Sequence, residues 1–239
     1  MAPIIISLGH FCDKHGPRVV LVTQAGIKGS TGDELLLPTY PTDSYCKSCS
    51  LTFPDGDRND VRSFKSNIAS RSYVTTQYSS IRYQLLTLIV RRCFSEETMI
   101  YDGRPLVFYD DLRGFNLAIG FKLRDETARG NERRYCWILT IDSKNHNSSM
   151  KLLSEHWNFI TSGFSKAIQY INETHDKESE RQNKLHNENN IKLMEGTYLR
   201  GNKAKMPRNL CELTNDNLLF VRIHKWNAFI LNSIMESHD

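Results

Sequence analysis

The sequence predicts an α+β fold in which helices flank one five-stranded antiparallel sheet. Five short segments alternate apolar and polar residues or are β-branched throughout, and three others carry apolar residues at steps of three and four. Their order, a hairpin, a helix, three strands and then helices, is typical of an antiparallel sheet covered by helices. With 239 residues and 39% hydrophobic content, the chain can bury one sizeable core, so we expect one domain with appendages.

The first two strands are expected to form a hairpin. The β-branched runs PIIISLGHF at residues 3–11 and RVVLVTQ at residues 18–24 are separated by a glycine-proline turn signal. From residue 26 to residue 72 the chain is rich in Gly, Pro, Ser, Thr and Asp and shows no sustained period. That composition predicts one long loop.

The middle of the chain predicts a short helix, three more strands and a long helix. Residues 81–93 have helical spacing of apolar residues, and residues 105–111, 116–125 and 133–143 predict an antiparallel meander. Residues 147–174 then carry a continuous apolar stripe. Such a stripe must cover a face of the sheet.

The C-terminal part of the chain predicts a linker and a returning helix. Residues 175–208 are almost wholly polar, so we expect a disordered linker that cannot bury enough surface to offset its ordering entropy. Residues 209–239 carry another apolar stripe and predict a helix that docks back on the domain of residues 1–174.

The charge balance gives no sign of a nucleic-acid ligand. The chain has 31 basic and 27 acidic residues, a net charge of +4, which is too even to indicate such a partner. No apolar run of about 18 residues occurs, and the N-terminal apolar patch is interrupted by His10 and Asp13, so we expect neither a membrane span nor a signal peptide. We therefore expect a cytoplasmic protein whose six cysteines are thiols or metal ligands.

Four basic residues near the end of the linker are candidates for weak contact with an anionic membrane. At about 1 kcal/mol each they supply only a weak, reversible attraction. No amphipathic anchor or lipidation motif accompanies them, so we favour a solvated tether and expect membrane association to be indirect. These residues are Arg200, Lys203, Lys205 and Arg208.

Nitrogen and sulfur ligands for a tetrahedral zinc ion occur in the first hairpin and the long loop. The candidates are His10, Cys12, Cys46 and Cys49, with His15 as a further nitrogen donor. No second CxxC or HxxxH completes a familiar spacing, and His10 and Cys12 share a face only if their strand stays regular. The alternative is a buried small cysteine with reduced loop thiols. We favour that alternative and expect no metal and no cofactor.

The connection DETARGNERRY, residues 125–135, carries three arginines between two predicted strands. Gly130 permits a sharp turn behind Arg129, and a tip between strands projects beyond the body of a domain. On the pattern alone, Arg129 is an ordinary solvated loop arginine, paired loosely with Asp125 or Glu126.

Four segments resemble the folliculin family in the same order along the chain. They are SLGHFCDKHGPR, SYCKSC, TARGNERRYCWILTI and RNLCELTNDNLLFVRIHKWNAFIL, and the resemblance extends over residues 4–234. It implies a longin domain. Folliculin continues into a DENN-type domain whereas this chain stops at Asp239, so it resembles the short, longin-only folliculin homologue of budding yeasts.

The resemblance implies a regulatory function rather than an independent enzyme. Folliculin-family proteins form a heterodimer with a folliculin-interacting protein through longin and DENN domains. The pair is a GTPase-activating protein for a C/D-type Rag GTPase and conveys amino-acid supply to the target-of-rapamycin kinase complex. We therefore expect both partners here, with recruitment to the vacuolar membrane.

The resemblance also implies a catalytic role for Arg129. This residue occupies the position of the arginine that the ARG motif of folliculin contributes as its finger. Arg133 and Arg134 are weaker candidates because they begin the next strand, and Asn131 either orients Arg129 or the attacking water or is an ordinary turn residue. The alternative is a non-enzymatic longin scaffold that binds the partner and the GTPase without contributing catalytic residues.

Overall fold

An antiparallel sheet organises the computed structural model, which describes residues 4–26, 45–54, 63–77, 83–95, 99–110, 112, 114–193 and 207–237. Its seven strands within these residues are β1 (Ile4–Cys12), β2 (Gly16–Ala25), β3 (Ser63–Ile68), β4 (Arg71–Thr76), β5 (Pro105–Asp110), β6 (Gly114–Arg124) and β7 (Glu132–Ile141). Their order across the sheet is β3-β4-β2-β1-β7-β6-β5. The predicted antiparallel sheet with helices is present, but the prediction of five strands is wrong.

The two strands that the sequence did not predict form a hairpin inside the predicted loop of residues 26–72. Strand β3, SFKSNI, lies at the edge of the sheet and is only half-buried, so it carries little of the apolar alternation that identifies a strand. Strand β4 pairs with β2 and buries Tyr73 and Val74. The loop prediction is therefore wrong for β3 and β4, whereas residues 27–44 and 55–62 lie outside the described residues.

Both faces of the sheet are covered by helices. The helices of the described residues are α1 (Tyr83–Cys93), α2 (His146–Leu193), α3 (Leu210–Thr214) and α4 (Leu219–Glu236). Alternate residues of β1 point to opposite faces: Ile4 and Ile6 join the core under α2 and α4, and Ile5 joins the core under α1. Each such side chain contributes about 1.5–3 kcal/mol of apolar burial.

Gly9 allows the close approach of α1 to the centre of the sheet. A Cβ atom at this position would lie 2.9 Å from Sγ of Cys136 and 3.1 Å from a methyl group of Val90. The register between β1 and β2 also shifts between Leu8 and Gly9, which marks a bulge. The bulge and the missing side chain together let α1 pack directly on β1.

Helix α2 continues well beyond the predicted boundary at residue 174. The prediction of a disordered linker is wrong for residues 175–193, which are helical, and residues 194–206 lie outside the described residues. His175 is buried and its Nε2 donates to the carbonyl of Arg124 at 2.8 Å, so this turn is tied to the sheet. Glu178 and Arg181 form an i,i+3 ion pair at 2.7 Å, and Glu, Lys, Gln and Arg all favour helices.

Helix α4 packs across β1 to β4, joined to them by a buried polar network. Nδ1 of His224 lies 2.7 Å from the hydroxyl of Thr75 in β4, and the Asn227 amide donates to the hydroxyl of Thr23 in β2 at 3.0 Å. Trp226 belongs to the apolar stripe of this helix but is 38% exposed, and its indole donates to the Gly163 carbonyl of α2 at 3.1 Å. No helix in the described part of the chain is long and apolar enough to cross a membrane.

Candidate functional site

The connection between β6 and β7 is a closed turn held by its own backbone. The two strands end in register, with Arg124 opposite Glu132. Between them the N–H of Ala128 donates to the Asp125 carbonyl, the N–H of Asn131 to the Ala128 carbonyl, and the N–H of Asp125 to the Asn131 carbonyl, each at 3.0 Å. Each of these three residues is fixed by backbone hydrogen bonds, so the tip has a defined shape.

The turn requires two successive residues in the left-handed region. Gly130 has φ 73° and Asn131 has φ 59°. Most L residues pay about 1–2 kcal/mol in this conformation, whereas glycine does not and asparagine tolerates it. Asn131 is thus a turn residue through its backbone, and the order Arg-Gly-Asn places Arg129 immediately before the reversal.

A buried carboxylate anchors the base of this turn. Asp125 is fully buried, accepting hydrogen bonds from Nε of Arg133 at 2.5 Å, from a guanidinium nitrogen of Arg208 at 2.6 Å and from the hydroxyl of Thr127 at 2.7 Å. Burial raises the pKa of Asp125, but the hydrogen bonds from Arg208, Arg133 and Thr127 outweigh it and lower the pKa to about 2. The ionised carboxylate therefore ties the tip to β7 and to the segment before α3.

Arg129 has a fixed backbone and an exposed side chain. Its N–H donates to a carboxylate oxygen of Asp13, in the β1–β2 turn, at 3.1 Å. Within the described ranges of the chain, the Arg129 guanidinium forms neither an ion pair nor a hydrogen bond, and the residue is exposed. A cationic group held in this way is available to another protein.

The other basic residues of the sequence hypothesis lie in different surroundings. Arg133 is 2% exposed and is occupied by Asp125, so it cannot reach a partner's active site. Arg134 is half-buried with its guanidinium 5.9 Å from the ring of Phe11. Arg208, one of the four basic residues near the end of the predicted linker, is paired with Asp125 and is not part of the solvated tether that we expected. The other members of that group lie outside the described residues: Arg200, Lys203 and Lys205.

The expected loose pairing of Arg129 with Asp125 is wrong, because Asp125 binds Arg133 and Arg208 instead. The sequence gives little signal for these positioning roles. Arg208 is 83 positions from Asp125, and Asp13 is 116 positions from Arg129. The strand order brings Asp13 and Arg129 together, since β1 lies beside β7. Arg208 reaches Asp125 from the segment before α3.

A second group of potential ligand side chains lies where the β1–β2 turn meets the segment of residues 45–54. The ligand atoms of Cys12, His15, Cys46 and Cys49 all lie within 4.8 Å of one another, and the cysteines are not in disulfides. Cys12 and Cys49 share a hydrogen bond, which lowers the pKa of Cys12 and raises that of Cys49.

His15 rather than His10 completes this group. The ring of His10 is buried, with Nδ1 at 3.2 Å from the Arg134 carbonyl, and it stacks on the ring of Tyr135 at 4.7 Å between centroids. All four clustered residues are among the candidates predicted from the sequence, but the prediction places His10 in the ligand set and His15 only as a further donor. It missed the choice of histidine because the turn after Cys12 folds His15 back towards the sulfurs, which strand periodicity does not describe.

Comparison with known proteins connects this geometry to a family. The family model for folliculin, described as a vesicle coat protein involved in Golgi to plasma membrane transport, matches residues 71–234. Protein LST7 of Saccharomyces cerevisiae (strain ATCC 204508 / S288c) is 57% identical over 243 residues, covering 100% of this chain and 99% of that protein. The chain belongs to the folliculin family. The folliculin match contains the β6–β7 turn, whereas the Cys/His group precedes it.

Proposed function

We propose that this chain is the arginine-finger subunit of a folliculin-type GTPase-activating complex. Its substrate GTPase is of the C/D Rag type, and its partner is a longin/DENN protein like folliculin-interacting protein. The proposal rests on the exposed guanidinium of Arg129, which has no ion pair or hydrogen bond with the described residues and lies on a backbone-fixed tip. Membership of the folliculin family supports it.

The chemistry of GTP hydrolysis explains why such a residue suffices. Negative charge is spread over the transferring phosphoryl group in the transition state, and a guanidinium is a planar, permanently cationic donor for those oxygens. A finger supplied in trans accelerates hydrolysis about 10³–10⁵-fold, equivalent to about 4–7 kcal/mol. Asp13 and the turn already fix the Arg129 backbone, so binding to the GTPase costs little further backbone entropy at this residue.

The longin assignment belongs to the same proposal. Five adjacent strands in the order β2-β1-β7-β6-β5, with α1 between β2 and β5 along the chain, support it, and the β3–β4 hairpin extends the sheet beyond β2. Strand β5 is an edge whose Val107 is 36% exposed, and α1 exposes Leu88 at 40%. An unpaired edge beside an exposed helix is suited to docking a second longin domain.

The place of action follows from the partners. We propose a cytoplasmic protein that reaches the vacuolar membrane through its complex and reports amino-acid supply to the target-of-rapamycin kinase complex. The folliculin family description, a vesicle coat protein in Golgi to plasma membrane transport, supports a role at internal membranes. Arg208, engaged with Asp125, is not free to contribute to direct membrane binding.

A single-turnover GTPase assay tests the proposal. The chain is co-purified with its partner and mixed with a C/D-type Rag GTPase loaded with GTP. Arg129→Ala should lower the stimulated rate by about 10³-fold or more and leave binding unchanged, and Arg129→Lys should rescue it only partly, because an ammonium lacks the planar fork. Arg124→Ala, an exposed arginine at the end of β6, is the matched control and should keep the wild-type rate.

A groove between α2 and α4 favours a second function, that of a non-enzymatic scaffold. Its volume is about 510 Å³, and its largely apolar lining includes the partly exposed aromatic residues Tyr170, Trp226 and Phe229. Such a surface is suited to binding proteins without any role for Arg129. Unchanged hydrolysis by the Arg129→Ala complex, together with loss of GTPase binding in a Phe229→Ala variant, would support the scaffold.

A further inference from the structure

The β1–β2 turn and the segment of residues 45–54 bring one nitrogen and three sulfur atoms together. The Sγ of Cys12 lies 3.5 Å from the Sγ of Cys46, which lies 3.7 Å from the Sγ of Cys49. Nδ1 of His15 lies 3.6 Å from the Sγ of Cys12 and 3.5 Å from the Sγ of Cys49. These residues come from two segments that are distant in sequence and meet at one point.

These separations match the edges of a zinc tetrahedron. With Zn–S bonds of about 2.3 Å and Zn–N bonds of about 2.0–2.1 Å, two sulfurs lie about 3.8 Å apart and a sulfur and a nitrogen about 3.6 Å apart. Four of the six separations among these atoms are within about 0.3 Å of these values, and all six are within 4.8 Å. We propose that Cys12, His15, Cys46 and Cys49 bind one structural Zn²⁺ ion. The proposal is independent of GTPase activation.

The surroundings of the sulfurs are those of a prepared site. The backbone N–H of Cys46 donates to the Sγ of Cys49 at 3.3 Å, and the hydroxyl of Ser48 lies 3.1 Å from the Sγ of Cys46 and 3.7 Å from that of Cys12. Donors of this kind stabilise thiolates and orient metal ligands. In the CKSC sequence, Cys46 and Cys49 thus supply sulfur atoms and Ser48 contacts them.

The segment that carries Cys46 and Cys49 is fixed from outside the cluster. The side chain of Gln77, just after β4, donates to the Cys49 carbonyl at 2.7 Å and accepts from the N–H of Leu51 at 3.1 Å. Lys47 forms an ion pair with Glu212 of α3. The two cysteines are thus placed before any ion binds, which lowers the ordering cost of binding.

The donor set selects the metal. Three thiolates and one imidazole in a closed four-ligand arrangement suit zinc and leave no open coordination position, which is typical of structural rather than catalytic sites. Cys12 and Cys49 are at most 1% exposed, and His15 and Cys46 are half-buried, so the ion is shielded on one side and accessible on the other. Zinc would cross-link the first hairpin to the segment of residues 45–54.

Metal content is the first test. The full chain is purified with a reducing agent and without a chelator. Inductively coupled plasma mass spectrometry should then find about one zinc ion per chain. Cys49→Ser should lower zinc affinity at least tenfold. Cys211→Ser is the matched control, because Cys211 is also a buried cysteine that contacts this segment, through Thr52 at 3.6 Å, yet is outside the cluster. It should retain one zinc.

Cobalt substitution is the second test, and it does not depend on a cysteine variant folding. Replacing zinc by Co²⁺ in the wild-type chain should give the intense visible bands of a tetrahedral site and a sulfur-to-metal charge-transfer band. His15→Ala should weaken binding, whereas His15→Cys should keep a tetrahedral site with a shifted, four-sulfur spectrum. This rescue separates a ligand from a residue that only packs in the turn.

Any of three results would overturn the site. One is a wild-type chain that contains no zinc and gives only the weak spectrum of octahedral cobalt while all six thiols remain reduced. Another is a Cys46–Cys49 disulfide in protein that remains folded, since those sulfurs would no longer be ligands. Equal zinc content in the Cys49→Ser and Cys211→Ser variants would also exclude it.

Discussion

Replacing Asp125 by asparagine tests how the candidate finger is held. The substitution keeps the shape of the side chain but removes the charge that balances Arg133, which is 2% exposed, and Arg208. The fall of the pKa from 3.8 to about 2 corresponds to about 2 kcal/mol of stabilisation at neutral pH. Asp125→Asn also leaves Arg133 buried without its counter-ion, so we expect the free energy of unfolding to fall by about 3–5 kcal/mol.

Urea unfolding followed by tryptophan fluorescence measures this loss. The folded-state pKa of Asp125 is depressed, so its stabilisation is fully present above about pH 4 and is lost as the pH falls towards 2. The difference in unfolding free energy between wild type and Asp125→Asn should therefore become smaller as the pH falls from about 4 to 2. Asp176→Asn is the matched control, because Asp176 is 74% exposed, and should cost less than about 0.5 kcal/mol. A loss below about 1 kcal/mol, or a gap independent of pH, would refute the anchoring role of Asp125.

Three further substitutions test other contacts. Asp13→Ala removes the acceptor of the Arg129 amide, so hydrogen exchange should show faster exchange of that amide at nearly unchanged stability; unchanged exchange would contradict the contact. Gly130→Ala puts a side chain on a residue with φ 73° and should lower the free energy of unfolding in urea by about 1 kcal/mol. An unchanged free energy of unfolding would contradict the left-handed conformation of this residue. Burial lowers the pKa of His224 to about 4, so stability present above pH 6.5 should fall by about 3 kcal/mol as the pH drops towards 4. His224→Gln, which can still bond to Thr75, should remove that pH dependence; an unchanged pH profile would contradict it.

The sequence predicts the elements whose apolar period is strong. Strands β1, β2, β6 and β7 bury nearly every residue of one or both faces, so their pattern is unambiguous. Strand β3 lies at an edge with polar residues and carries no such pattern. Helix α2 extends through a polar segment because His175 bonds to the sheet and charged pairs support the helix, and composition alone does not reveal that contact.

The candidate site is predicted in its chemistry but not in its support. The motif around Arg129 indicates an exposed tip, and the glycine and asparagine after it suit the left-handed turn that the structure contains. The carboxylates of Asp13 and Asp125 act across long separations in sequence, which no local pattern encodes. The same limit applies to His15, whose approach to Cys49 depends on how two separate segments meet.

The most direct test of the central proposal is the single-turnover rate constant of GTP hydrolysis at a saturating concentration of the complex. Saturation removes any effect of Arg129 on affinity, so the rate reports only stabilisation of the transition state. A fall of about 10³-fold or more in Arg129→Ala, with Arg124→Ala unchanged, is the predicted result. Equal rate constants for Arg129→Ala and wild type would contradict the proposal that Arg129 enters the active site of the GTPase.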